Sequence, residues 1–233
     1  MTKHNIFHAF TIAALSSTLL ACNSSNNDIS PVEIPQLSPA TAANLSGNCN
    51  DLAASMSALA NTTITSSSEV AAGELMVAGN DIPAHCLVTG SMFERVSDID
   101  GNVYAIRFEM RLPLNWNGRF YHQGNGGIDG SVVTAVGDAG PGNLSNALYQ
   151  GFAVLSSDAG HSGALGPAFG VDPIARLDYG YKAVEKLTPM AKELISIAYG
   201  KGPDRSYFGG CSNGGRHTFN TFARMPDEYD GYL

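Results

Sequence analysis

The stretch Arg205-Ser206-Tyr207-Phe208-Gly209-Gly210-Cys211-Ser212-Asn213-Gly214-Gly215-Arg216-His217-Thr218-Phe219-Asn220-Thr221-Phe222-Ala223-Arg224 decides the fold. Arg205 to Gly209 reads as a short strand and Thr218 to Arg224 as the start of a helix. Between them, Gly210-Cys211-Ser212-Asn213-Gly214 satisfies G-x-S-x-G. A strand that turns sharply into a helix carries a serine hydroxyl at the tip of the bend. Gly210 and Gly214 remove the Cβ atoms that would collide there, and the helix N-terminus beneath favours developing negative charge. The alternative is a plain glycine-rich turn in which Ser212 serves only as a helix N-cap. A serine turned inward onto the helix, with no open space above it, would mark that alternative.

Upstream of this stretch, Asp172-Pro173 opens a helix with a capping carboxylate and a proline in the first turn. Leu177, Tyr181, Val184, Leu187, Ala191, Leu194 and Ala198 follow at helical spacing. Gly200 closes the segment, and Pro189 is expected to kink it. Gly151 to Asp158 is a continuous apolar run of the kind buried on both faces of a parallel sheet. Arg119 to Gln123 is a short central strand running into Gly124-Asn125-Gly126-Gly127, where glycines permit close backbone approach. Strand, long helix, strand, sharp turn and helix make a βαβ arrangement, which predicts an α/β class with a mainly parallel sheet. Ahead of it, Cys86 to Phe93 and Val103 to Leu112 alternate at period two around Asp98-Ile99-Asp100-Gly101-Asn102 and predict a hairpin. Asp51 to Leu59 has weak helical spacing, and Thr62 to Ser68 reads as a strand or an exposed loop.

The chain has 233 residues, 44% apolar and 15% charged, which fits one globular domain and excludes disorder for its bulk. Thirteen Lys and Arg against twenty-one Asp and Glu give a net charge of −8 with no basic cluster, so the footprint of a nucleic-acid binder is missing. Residues 1–21 carry Lys3 and an apolar stretch too short and too Ser/Thr-interrupted to span a bilayer, and they read as a secretory signal. Leu19-Leu20-Ala21-Cys22 resembles the lipobox of bacterial lipoproteins, which makes Cys22 the expected lipidation site and the lipid anchor the expected membrane contact. An ordinary signal cleaved near Ala21 is the alternative. Residues 22–46, rich in Asn, Ser, Pro and Ala, read as a flexible tether to a body spanning 47–233. In an oxidising compartment Cys49 is paired with Cys86, which leaves Cys211 without a partner in this chain.

Tyr207 to Arg216 resembles the C-S-x-G-G nucleophile motif of the tannase and feruloyl esterase family. Leu112-Pro113 with Trp116-Asn117-Gly118-Arg119-Phe120 and Gly124-Asn125-Gly126-Gly127 resembles that family's L-P-x-x-W-N-G-R-F strand and glycine loop. Asp158-Ala159-Gly160-His161 resembles its D-x-G-H, and Pro226 to Gly231 its P-x-x-[FY]-D-G. The resemblance covers about residues 45 to 233 in order.

It implies an α/β-hydrolase fold, incomplete here, with the lid domain and the C-terminal strands absent. Ser212 is the implied nucleophile, with Asp and His following beyond the end of this chain. The backbone N–H of Asn213 and one from Gly126-Gly127 are the implied oxyanion donors. The cysteine partnering Cys211 is implied to sit next to the catalytic His, also downstream. The family's calcium site belongs to the lid, so no metal ligand or other cofactor contact is expected in this chain.

Chain order in α/β-hydrolases places acid and base after the nucleophile, which argues against a base among the histidines present. His122 and His161 follow predicted core strands and stand near the expected site. His217, five residues along the elbow helix, points away from Ser212 and reads as structural or surface. His85, His4 and His8 read as solvated or removed, and Arg216 as a brace for the elbow helix or a surface residue. The expected function is that of a serine carboxylic ester hydrolase working by acyl transfer on small aromatic or phenolic esters, feruloyl, galloyl or related. An exported lipoprotein or binding module without catalytic activity is the alternative.

Overall fold

Alternation at period two builds the longest strands of the molecule, and a hairpin turn between them sets their direction. The computed structural model describes residues 37–138 and 146–233, so the expected signal at 1–21 and Cys22 lie outside the described residues. Along the chain the strands are β1 (Ala43–Asn44), β2 (Thr62–Val70), β3 (Met76–Val77), β4 (Asn80–Asp81), β5 (His85–Val96), β6 (Val103–Pro113), β7 (Asn115–Trp116), β8 (Arg119–Gln123), β9 (Ala153–Ser157), β10 (Arg205–Gly209) and β11 (Gly231–Tyr232). The helices are α1 (Leu52–Ser55), α2 (Pro173–Leu177), α3 (Ala183–Tyr199) and α4 (Asn213–Arg224). Tight 3-10 turns occupy Cys49–Asp51 and Gly163–Val171, and a π-helical segment occupies Asp178–Lys182.

One seven-stranded sheet carries the body, in the order β11-β10-β8-β9-β6-β5-β2. From β11 to β9 neighbouring strands run parallel. From β9 through β6 and β5 to β2 they run antiparallel. The expectation of a mainly parallel sheet is thereby corrected to a mixed α/β sheet. Its physical reason is connection length: β5 and β6 are joined by a short turn, which permits only antiparallel pairing, whereas β9 reaches β10 through a helical crossover.

The helical crossover packs its apolar face on this sheet. Leu187, Ala191, Leu194, Ile195 and Ala198 of α3 are buried with Phe108, Met110, Leu112, Phe120 and Phe208 of the strands. Burying Leu187, Leu194 and Ile195 contributes about 1.5–3 kcal/mol each, and the two alanines less. Tyr199 stacks on Trp116 with ring centroids 4.4 Å apart. As predicted, Asp172 caps the helical run by accepting from the Ala175 N–H at 2.7 Å, and Gly200 ends it at φ 72°. The irregularity lies elsewhere than predicted: Pro189 sits within α3, and the run changes its hydrogen bonding at Asp178–Lys182 instead.

The expected Cys49–Cys86 disulfide is present and ties the Cys49–Asp51 turn to β5. The weak helical signal of Asp51 to Leu59 yields only the short α1. Of the tether expected over residues 22–46, residues 22–36 lie outside the described residues, and the remainder from Ser38 is engaged with the body. Thr41 N–H donates to Asp204 Oδ2 at 2.7 Å, the Arg205 guanidinium donates to the Ser38 carbonyl, and β1 pairs with β7. Residues 38–46 therefore belong to the folded body, anchored at the N-terminal end of β10.

Candidate active site

β8 and β10 are parallel neighbours whose onward connections lead to opposite sides. The connection from β8 leads to β9 on one side, and the connection from β10 leads through α4 to β11 on the other. In open α/β sheets such a divergence leaves a crevice beyond the carboxyl ends of the two strands. Ser212 stands there, at the carboxyl end of β10, with φ 59° and ψ −118°. Holding a non-glycine residue in that region costs about 1–3 kcal/mol, so the surrounding structure must enforce it. Its side chain makes no cap hydrogen bond to α4 and is exposed. A cavity of about 400 Å³ opens above it, lined by Gln123, Gly124, Asn125, Gly126, Cys211 and Ser212 among others. The plain N-cap alternative is incompatible with both observations.

The enforcement comes from glycines. A Cβ at Gly210 or at Gly214 would overlap the Gly124 carbonyl. Gly124 N–H in turn donates to Gly209 O at 2.8 Å. The elbow and the glycine loop thus touch backbone to backbone. Gly126 lines the cavity, where an added Cβ would meet only Cys211 O at 3.9 Å, and Gly127 follows at φ 63° in open space. Asn125 fastens the start of this loop to β9 by donating to Ser156 Oγ at 3.0 Å and to Ser157 O at 2.8 Å. Gly130 fastens its end by donating to Asp158 O at 3.1 Å.

Asn213 begins α4, and its side chain is engaged at both ends. Nδ2 donates to Asp129 Oδ2 at 2.6 Å, while Oδ1 accepts from Arg216 Nε at 2.6 Å and from Tyr179 OH at 3.2 Å. Arg216 also donates to the Tyr179 and Gly180 carbonyls in the π segment, so it braces the elbow helix rather than lying free on the surface. Asp129 was not singled out by sequence. It lies in a glycine-flanked loop that reads locally as a turn, and its partners on α4 are 84 and 88 residues away in sequence.

The family model described as tannase and feruloyl esterase matches residues 86–233. The chain belongs to that family. Mono(2-hydroxyethyl) terephthalate hydrolase of Piscinibacter sakaiensis is 41% identical over 160 residues, covering 65% of this chain and 26% of that protein. Probable feruloyl esterase B-2 of Aspergillus flavus is 35% identical over 132 residues, covering 57% of this chain and 24% of its own length. Among solved structures, feruloyl esterase B from Aspergillus oryzae superposes with a TM-score of 0.62 at 27% identity, covering 77% of this chain and 36% of that one. This chain therefore spans about a quarter of the length of those two curated relatives.

The histidines of this tannase-family chain are placed as follows. His122, on β8, is buried, with Nδ1 2.8 Å from Tyr229 OH. Burial drives its pKa down to about 3, with the charge of His217 a smaller cause. His161 is fully buried and stacked 3.7 Å from the Phe169 ring. Neither of its ring nitrogens has a side-chain hydrogen-bond partner. Burial lowers its pKa as well. Neither histidine lines the cavity at Ser212.

His217, read as structural or surface, is buried, with Nε2–H donating to Asp129 Oδ2 at 2.8 Å. The expectation for His85 is corrected. It is fully buried, bonded to the Pro83 carbonyl and to Arg111, because β5 carries it into the sheet interior. Burial, the largest cause, lowers its pKa too. Cys211 is a free, exposed thiol beside Ser212. Among the described residues no group of three or more His, Cys, Asp or Glu side chains is arranged to hold a metal ion.

Proposed function

We propose that this chain carries the nucleophile and the oxyanion pocket of a serine carboxylic ester hydrolase acting on small aromatic or phenolic esters. The observation that carries the reading is Ser212 itself: a strained, uncapped serine at the carboxyl end of β10, open to a cavity of about 400 Å³. Membership of the tannase and feruloyl esterase family supports the reaction class and, by its name, galloyl esters, while the names of the relatives support feruloyl esters or terephthalate monoesters.

Ser212 Oγ attacks the ester carbonyl and gives its proton to a histidine, oriented by an aspartate, both expected beyond Leu233. Negative charge then gathers on the carbonyl oxygen. It is met by the Asn213 N–H and by an N–H of the Gly126-Gly127 loop, each donor contributing about 3–4 kcal/mol to the transition state. The α4 N-terminus adds its dipole to the same point. Collapse expels the alcohol, which takes the proton from histidine. Water activated by that histidine then releases the acid from Ser212.

The Cys49–Cys86 disulfide supports export, and Cys22 remains the candidate lipid anchor. The test uses the product of the open reading frame continued past Leu233, assayed on p-nitrophenyl esters, methyl ferulate and methyl gallate. Ser212→Ala is expected to lower kcat by about a thousandfold or more. Unchanged hydrolysis in that variant overturns the assignment.

A further inference from the structure

We propose that Asp129 is a positioning residue for the oxyanion pocket, acting through the Asn213 and His217 side chains; this rests on the reading of Ser212 as the nucleophile. Two expected donors sit on different chain segments, the glycine loop and the first turn of α4, and something must hold them in register. One oxygen joins the two. Asp129 Oδ2 accepts from Asn213 Nδ2 at 2.6 Å and from His217 Nε2–H at 2.8 Å, and its side chain is only 2% exposed.

Packing does not do this work. Gly126 would bring a Cβ no closer than 3.9 Å to a neighbour, and nothing lies within 4 Å of one at Gly127. The loop is anchored before them by Asn125 and after them by Gly130. Between these anchors, Asp129 supplies the side-chain link to α4. It does so from φ 58°, a conformation that costs an aspartate backbone strain and that its two charge-assisted hydrogen bonds offset.

A carboxylate this near a developing oxyanion would oppose it if left uncompensated. His217 donates to it directly, and Arg216 stands behind, its Nη2 3.2 Å from His217 Nε2. Arg216 and Tyr179 also hold Asn213 from the opposite end. The cluster therefore fixes the residue after the nucleophile from two directions while presenting no bare charge to the substrate.

The test compares Asp129→Ala, Asp129→Asn, Asn213→Ala, the Asp129→Ala/Asn213→Ala double variant and Ser212→Ala in the full-length protein. Steady-state kinetics is combined with the rate of covalent inactivation by a phosphonate ester, whose phosphonyl oxygen occupies the oxyanion position. In Asp129→Ala, kcat is expected to fall about ten- to a hundredfold with KM within about twofold, and inactivation to slow by the same factor. Asp129→Asn, which keeps an acceptor oxygen for Asn213, is expected to recover most of that loss. Asn213→Ala keeps the backbone donor yet loses a similar factor, and the double variant loses no more than the worse single one.

Undiminished kcat and inactivation in Asp129→Ala, alongside an inactive Ser212→Ala, overturn the positioning role and leave the nucleophile standing. Losses that multiply in the double variant also overturn it. Activity surviving in Ser212→Ala removes both. Should Asp129→Ala lose its cooperative melt, Asn213→Ala decides alone, and normal turnover there overturns the proposal.

Discussion

Ser212 keeps its strained backbone because the two glycines flanking it let the Gly124 carbonyl press against the elbow. Replacing either by alanine is expected to cost about 1–3 kcal/mol or more, read as a lower urea midpoint. Gly126→Ala, with its new methyl only in ordinary contact with Cys211 O at 3.9 Å, is expected to leave the midpoint within about 0.5 kcal/mol of wild type while narrowing the cavity. A Gly210→Ala protein as stable as wild type would mean that the close approach is not what holds the bend. At this scale the sequence was legible wherever the signal was local. Ser212, Gly210 and Gly214 stand within five consecutive residues. Asp129 and His217 were not legible as a pair, because they are 88 residues apart and only the completed sheet brings them together. His85 misled for a related reason: nothing near it in sequence names Arg111, which receives it inside the sheet.

The hairpin of β5 and β6 was legible as an element because alternation and turn residues both mark it. The π segment was not, since Tyr179 and Gly180 show their purpose only when Arg216 arrives from α4. The start of the helical run carries a pH consequence. Asp172 caps α2 and accepts both Nη atoms of Arg95, at 2.6 and 2.9 Å. The Arg95 hydrogen bond, the largest cause, holds the Asp172 carboxyl well below the ordinary range, and burial opposes it. A folded-state pKa below the unfolded value means that the unfolded chain binds the proton more tightly. The pair's contribution is therefore full above the unfolded value of 3.8 and is lost as pH falls through that value toward the folded one. Asp172→Asn keeps a capping side chain but loses the ion pair. Its stability deficit in urea melts is expected to be widest at neutral pH and to close as pH falls below about 4. A deficit constant from pH 7 to pH 3 would contradict this.

For the molecule as a whole, the disulfide is the largest single covalent constraint, closing a separation of 37 residues. Cys49→Ala/Cys86→Ala is expected to lose about 3–4 kcal/mol in the chain-entropy model, measured as a shift in the denaturation midpoint. Phe219 and Phe222 on α4 are 78% and 57% exposed, a large apolar face for an elbow helix. The chain 1–233 expressed alone is accordingly expected to melt with low cooperativity and to turn over esters at negligible rate. Cooperative unfolding together with steady turnover of p-nitrophenyl esters would refute this. The α/β class was readable from alternating element types. The even division between parallel and antiparallel strands was not, because it depends on how many hairpins precede the first crossover.

The clamp of Ser38 and Thr41 onto Arg205 and Asp204 fixes where the upstream chain enters the body: at the foot of β10, whose opposite end leads to Ser212. Held to a bead through Ser38, the folded body turns Ser212 toward the bulk liquid.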